Sequence, residues 1–213
     1  MDELELLKKD WQNKEEHLPK LTYDEIYKMI WKKSSSLVKW IFYISIIEFV
    51  FWAALNIVFS DPESMQELKA MHIYNIMMVL TFINYGIILY FIYKFYTNYR
   101  KISITDSSKK LMKTILSVKT TVTQYVWFNL IIFAITLIIS IYGALMYGPE
   151  GKEIVDRAMQ EGNETSFWLF VILVSALFTS ILLVLIWFFY KLLYGILLKR
   201  LKANYNELKR LEV

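Results

Sequence analysis

The sequence predicts an all-α integral membrane protein, a four-transmembrane-helix bundle with amphipathic helical extensions on the cytoplasmic side. Composition predicts it first: the 213 residues are 56% hydrophobic and 17% aromatic, with six glycines and three prolines. That is too apolar and too poor in turn residues for an ordinary soluble domain. Clustering predicts it next. Four apolar stretches, about 37–59, 73–93, 122–146 and 166–190, reach the roughly 20 residues that cross a bilayer. They run continuously apolar instead of alternating, which excludes a β-barrel.

Charge orients the four spans. Seven Lys and Arg precede Leu37, seven lie in 94–121, and six follow from Lys191 onward. Segment 61–72 has one, and 148–165 has two against five acidic residues. The positive-inside rule therefore places both termini and the middle loop in the cytoplasm, with two short acidic loops outside. The net charge of +4 gathers at the interface where anionic lipids sit. Lysine outnumbers arginine by 20 to 4, which with abundant Ile, Asn, Tyr and Phe points to an AT-rich bacterial genome and hence a bacterial inner membrane. The opening MDELELLKKDWQNKEEH is charged throughout and is not read as a cleavable signal peptide. The sequon at Asn163 falls on an outer loop and reads as unmodified.

The cytoplasmic segments are patterned. In residues 1–36, Leu4, Leu7 and Trp11 recur at helical spacing, and Asp2 with Glu5 resembles a capping pair. Pro19 separates that helix from a second, in which Thr22 caps and Glu25 reciprocates three residues on. Tyr23, Ile26, Tyr27, Ile30 and Trp31 form its apolar face, and it is expected to run through Ser34–Ser36 into the first span. In loop 94–121, Thr105 or Asp106 is positioned to cap a helix with Leu111, Ile115, Val118 and Val122 on one side and Lys109, Lys110 and Lys113 on the other. The membrane domain is placed at 37–198. Its last span continues into a C-terminal helix, 199–213, along a heptad-like seam of Tyr194, Leu197 or Leu198, Leu201, Tyr205, Leu208 and Leu211. Three destinations are open for these apolar faces: packing on one another, lying on lipid headgroups, or docking a cytoplasmic partner.

Glu48 is the one acidic residue within the spans. It lies eight residues after Trp40 and eleven before Phe59, near mid-span. A carboxylate facing lipid costs a few kcal/mol, so it is expected to face the bundle interior. Ser45, Glu48, Trp52 and Asn56 share one stripe. Thr81 and Asn84, Asn129 and Thr136, and Ser175 and Thr179 stand at matching depth on the other spans and are expected to converge on it. Desolvated and without a basic partner, Glu48 is expected to be neutral and to donate a hydrogen bond. Three roles are open to it: glue between helices, a site completed by another chain, or a proton or cation pathway.

Much chemistry is excluded. There is no cysteine, and the two histidines, His17 and His72, fall on opposite sides of the membrane. No metal, nucleophile or phosphate-loop motif is present, so no catalytic residue, metal or cofactor is expected and the chain does not read as an enzyme. The basic residues flank spans and show no nucleic-acid motif.

The block LLKKDWQ…LPKLTYDEIYKMIWKKSSSLVKWIF followed by three more spans resembles a group of small four-helix inner-membrane proteins of Bacteroidota, encoded beside alternative sigma factors. The resemblance implies an anti-sigma-like regulator whose segment around 4–31 holds a sigma factor. The expected function is thus a non-enzymatic, membrane-anchored regulator or adaptor recruiting a cytoplasmic partner. The alternatives are a channel or transporter subunit centred on Glu48, active as an oligomer, and a structural subunit of a larger membrane complex.

Overall fold

No proline lies inside any of the four apolar runs. In lipid, a helix satisfies every backbone group within its own segment. The computed structural model describes residues 22–58, 62–103, 107–162 and 164–211; among them there are six helices and no strand. They are α1 (Tyr23–Val58), α2 (Pro62–Ala70), α3 (Tyr74–Ser103), α4 (Ser108–Tyr147), α5 (Pro149–Gln160) and α6 (Glu164–Leu211). Four of them, α1, α3, α4 and α6, are long and apolar enough to cross a membrane.

These four have 36, 30, 40 and 48 residues. At about 1.5 Å per residue they measure roughly 54, 45, 60 and 72 Å, against a hydrocarbon core of about 30 Å. Each therefore overruns the apolar zone, and α1 and α6 pass without a break through the expected borders at 36/37 and 198/199. They form a ring in which α1 packs on α3, α3 on α4, α4 on α6, and α6 back on α1. The connections are short, so ring neighbours run antiparallel.

The overruns pack on one another as a collar at the basic end. Leu111, Ile115, Val118 and Val122 are all buried, while Lys109, Lys110 and Lys113 are exposed, as the periodicity predicts. The α6 seam buries Tyr194, Leu201 and Leu208, with Leu197, Leu198, Tyr205 and Leu211 half-buried beside them. At the start of α1, Thr22 N and Oγ1 both donate to Glu25 Oε2, at 2.8 and 2.9 Å, and Glu25 N reaches back to Thr22 Oγ1 at 3.4 Å. This is the predicted capping box. Thr105 and Asp106, expected to cap α4, lie outside the described residues; Ser107 occupies the N-cap position and makes no side-chain cap.

The two acidic segments, 61–72 and 148–165, differ from expectation. Both were read as loops, yet each contains a short helix, α2 or α5, begun by a proline at a position where a missing N–H costs nothing. Leu68 and Lys69 carbonyls accept from Ile73 and His72 N–H, closing α2, with His72 in the left-handed region at φ 58°. Gly151 lets α5 fold back onto the end of α4. A Cβ there would stand 2.1 Å from the Ala144 carbonyl oxygen, so no other residue fits.

Packing is uneven along the bundle axis. The core cluster, from Ile30 and Val38 through Phe95, Ile102 and Leu111 to Leu201 and Leu208, occupies the basic end. Towards the other end the large side chains of α6, such as Leu173, Leu177 and Val184, face outward. Leu208→Ala, at a fully buried collar site, is expected to lower stability by about 2–5 kcal/mol. Leu173→Ala, 63% exposed, is expected to change it by less than about 0.5 kcal/mol. Equal shifts of the two variants in thermal unfolding in mild detergent would contradict this division.

Candidate functional site

A carboxylate buried among apolar side chains must find donors or neutralise. Glu48 is buried and finds two donors on α6. The Tyr190 hydroxyl donates to Oε1 at 2.5 Å and the Tyr194 hydroxyl to Oε2 at 3.0 Å. Each carboxyl oxygen of Glu48 thus has a tyrosine hydroxyl as its hydrogen-bond partner. Tyr190 and Tyr194 stand one helical turn apart, which aims both hydroxyls at the same face. Their rings stack at 6.1 Å, and Tyr125 of α4 meets both edge-on at 6.1 and 6.0 Å. Phe91 and Phe95 of α3 close the aromatic shell against Tyr125 at 5.4 and 5.7 Å. All four long helices thus contribute to the enclosure of one carboxylate.

The depth of Glu48 also departs from expectation. Its own helix places it at mid-span. Tyr190, however, ends the fourth apolar run and is followed directly by Lys191, and Tyr125 lies near the start of the third run. Measured against its partners, Glu48 sits near the basic end of the apolar zone. One helix read alone could not show this, because the four helices are offset along the axis.

The expected polar cluster divides in three. Ser45 is fully buried but donates to the Phe42 carbonyl of its own helix at 2.7 Å. Asn56, Thr81, Asn84, Asn129 and Thr136 do come together, though not on Glu48. They line a central cavity of about 240 Å3, bounded by all four long helices and reaching Tyr190. Their donors are mostly spent locally: Thr81 on the Met77 carbonyl at 2.8 Å, Asn129 on Tyr125 at 2.8 Å, and Thr136 on Ile132 at 2.9 Å. Asn84 Oδ1 is buried without a partner. Thr179 faces a different cavity, between α4 and α6.

The proposed partner-binding residues are also redistributed. Leu4, Leu7 and Trp11 lie outside the described residues. Ile30 is buried in the bundle core, and Ile26, Tyr27 and Trp31 are half-buried against it. Trp31 Nε1 donates to the Ile102 carbonyl of α3 at 2.8 Å. Only Tyr23 of this face is exposed. The Tyr23–Trp31 stretch of α1 therefore spends most of its apolar face on its own chain.

Sequence reasoning missed Tyr125 and Tyr190 and read Tyr194 only as part of a seam. The available signal was the i, i+4 pair of tyrosines beside Lys191, masked because aromatic residues ordinarily collect at span ends. It also missed two further polar links between helices. Asn204 Nδ2 donates to Ser34 Oγ at 2.9 Å, and Asn98 bridges Thr121 and Ser117 at 3.3 and 3.1 Å. Among the described residues no group of acidic, histidine or cysteine side chains is arranged to hold a metal.

A family model described as a domain of unknown function, DUF8845, matches residues 24–213. The chain belongs to the DUF8845 family. The match begins at the start of α1 and covers the collar and all four apolar helices, so the Glu48 enclosure lies wholly within the DUF8845 region. No curated protein and no solved structure matches the chain.

Each tyrosine hydroxyl and the carboxylate form one coupled unit. Tyr190→Phe and Glu48→Gln are each expected to destabilise the protein, with a coupling energy on the order of 1 kcal/mol in the double variant. Unfolding in mild detergent measures it; strictly additive effects would show that the hydrogen bond does not hold α1 to α6.

Proposed function

We propose that this protein is a non-enzymatic, membrane-anchored regulator or adaptor, with its basic end in the cytoplasm and a cytoplasmic protein as its partner. One observation carries the reading: the buried core sits at the basic end and continues past the apolar runs into the collar. A protein that needed only to sit in the membrane would gain nothing from extending four spans into a ring of packed helices. A collar with an apolar core and exposed Lys28, Lys109, Lys113, Lys202 and Lys209 is a stiff, charged platform.

Because most of the Tyr23–Trp31 face is spent within the chain, recruitment rests on the preceding segment, with Leu4, Leu7 and Trp11 as its apolar contacts. The resemblance to sigma-linked membrane proteins supplies a sigma factor as the partner class. The full chain and a chain lacking residues 1–20 are purified side by side from cells in mild detergent. The full chain is expected to retain a partner that the shortened chain loses. Identical co-purifying proteins would overturn docking through this segment.

The central cavity favours a second reading, a proton or cation site. Five polar side chains from α1, α3 and α4 line the space that leads to Tyr190, and Tyr190 donates to Glu48. On this reading Glu48→Gln abolishes flux in proteoliposomes while the protein still folds. If no flux is seen with the native chain either, or if Gln leaves it unchanged, Glu48 serves structure alone.

A further inference from the structure

The outer surface between α1 and α6 carries a second feature, independent of Glu48. A groove of about 870 Å3 runs between the two helices from the collar into the apolar zone. Lys32, Lys33 and Arg200 line it at the collar end, and among the described residues no acidic side chain lines it. Trp40, Ile44, Leu192 and Ile196 line the rest. From Lys32 to Ile44 it spans thirteen residues of α1, roughly 18 Å along the axis.

The groove crosses the border between charged and apolar surface. Lys39, Lys94 and Lys191 mark that border. Each lies over an aromatic ring one turn closer to the apolar zone, namely Tyr43, Tyr90 and Trp187, at 5.5, 5.1 and 4.8 Å. Lysines paired with aromatic rings at the ends of apolar runs are the anchors of a membrane interface. A ligand that fills the groove must therefore be anionic at one end and apolar over the remainder.

We propose that this groove is a binding site for an anionic phospholipid, with the headgroup phosphate held by Lys32, Lys33 and Arg200 and an acyl chain lying along Trp40, Ile44, Leu192 and Ile196. A basic pocket between membrane helices suits an anionic headgroup. Arg200 supplies a planar fork for phosphate oxygens, and the two lysines add mobile point charges. A soluble anion would use the three cations and leave the apolar floor empty, and a neutral lipid would leave the cations unmatched. The floor at the collar end is rigid, because Asn204, which lines the groove, donates to the buried Ser34 at 2.9 Å.

Each cation near the interface is worth about a fivefold factor in affinity for an anionic headgroup, so removing three is expected to weaken binding roughly a hundredfold. The test uses the full chain in mild detergent, titrated with phosphatidylglycerol, phosphatidylcholine or inorganic phosphate, and reads thermal stabilisation together with lipid retained in native mass spectrometry. Phosphatidylglycerol alone is expected to bind and stabilise. The combined variant Lys32→Gln, Lys33→Gln, Arg200→Gln is expected to lose that preference. A control with equal charge loss on α4, Lys109→Gln, Lys110→Gln, Lys113→Gln, is expected to keep it. Ile196→Trp, at an exposed groove position, fills the apolar floor with the cations intact and is expected to lose retention as well. Equal binding of the two lipids, equal stabilisation by inorganic phosphate, or equal loss in the α4 control would each overturn the proposal.

Discussion

A carboxylate in an apolar interior cannot be left without donors, and the rest of this bundle is arranged around that constraint. Glu48 is satisfied only when α6 brings Tyr190 and Tyr194 opposite it. This fixes the sliding position of α6 along α1. The same register places Asn204 against Ser34: Ser34 and Glu48 are fourteen positions apart, as are Tyr190 and Asn204. Two polar contacts separated by roughly 21 Å thus agree on one alignment. Apolar packing alone distinguishes poorly between registers one turn apart, because leucine and isoleucine fill either. The hydrogen-bonded groups select one.

The same logic extends around the ring. Trp31 ties α1 to α3 through a backbone carbonyl, and Asn98 ties α3 to α4 through two hydroxyls. Tyr125 completes the circuit with its edge-on contacts to the α6 tyrosines. All these links lie towards the basic end. In the other direction the ring encloses the small polar cavity, and much of the α6 surface faces outward. The bundle is locked at one end and loosely filled at the other, and the two candidate roles divide along that line: a platform at the locked end and a polar chamber beside it.

Much of the fold was legible in the sequence because it depends on local periodicity. The apolar runs, the unbroken passage through Ser34–Ser36, the Leu111–Val122 face and the Thr22–Glu25 box all rest on spacings of three or four residues. The short helices α2 and α5 were not legible as such, since charged, polar segments of nine and twelve residues carry little apolar pattern. The Glu48 site was half legible. That the carboxylate must turn inward follows from its cost in lipid. Its partners do not follow, because Tyr190 is 142 residues away and which residues meet depends on how far each helix is offset along the axis. Polar residues at matching counts from their span starts converged on a cavity instead, since counting from the start of each run ignores those offsets.

The unbroken course of α6 has a mechanical meaning. A rod of 48 residues, roughly 72 Å long and gripped near Tyr190 and Asn204, behaves as a lever with its pivot inside the membrane border. Its far arm is lightly held, so a change in bilayer thickness or tilt at that side acts on a long moment arm. The near arm ends in the collar, where Leu201 and Leu208 engage the core and convert angular displacement into strain between neighbouring helices. Without a proline or glycine between Ser166 and Tyr190, the far arm of α6 has no joint in which to dissipate the motion before it reaches the Tyr190 pivot.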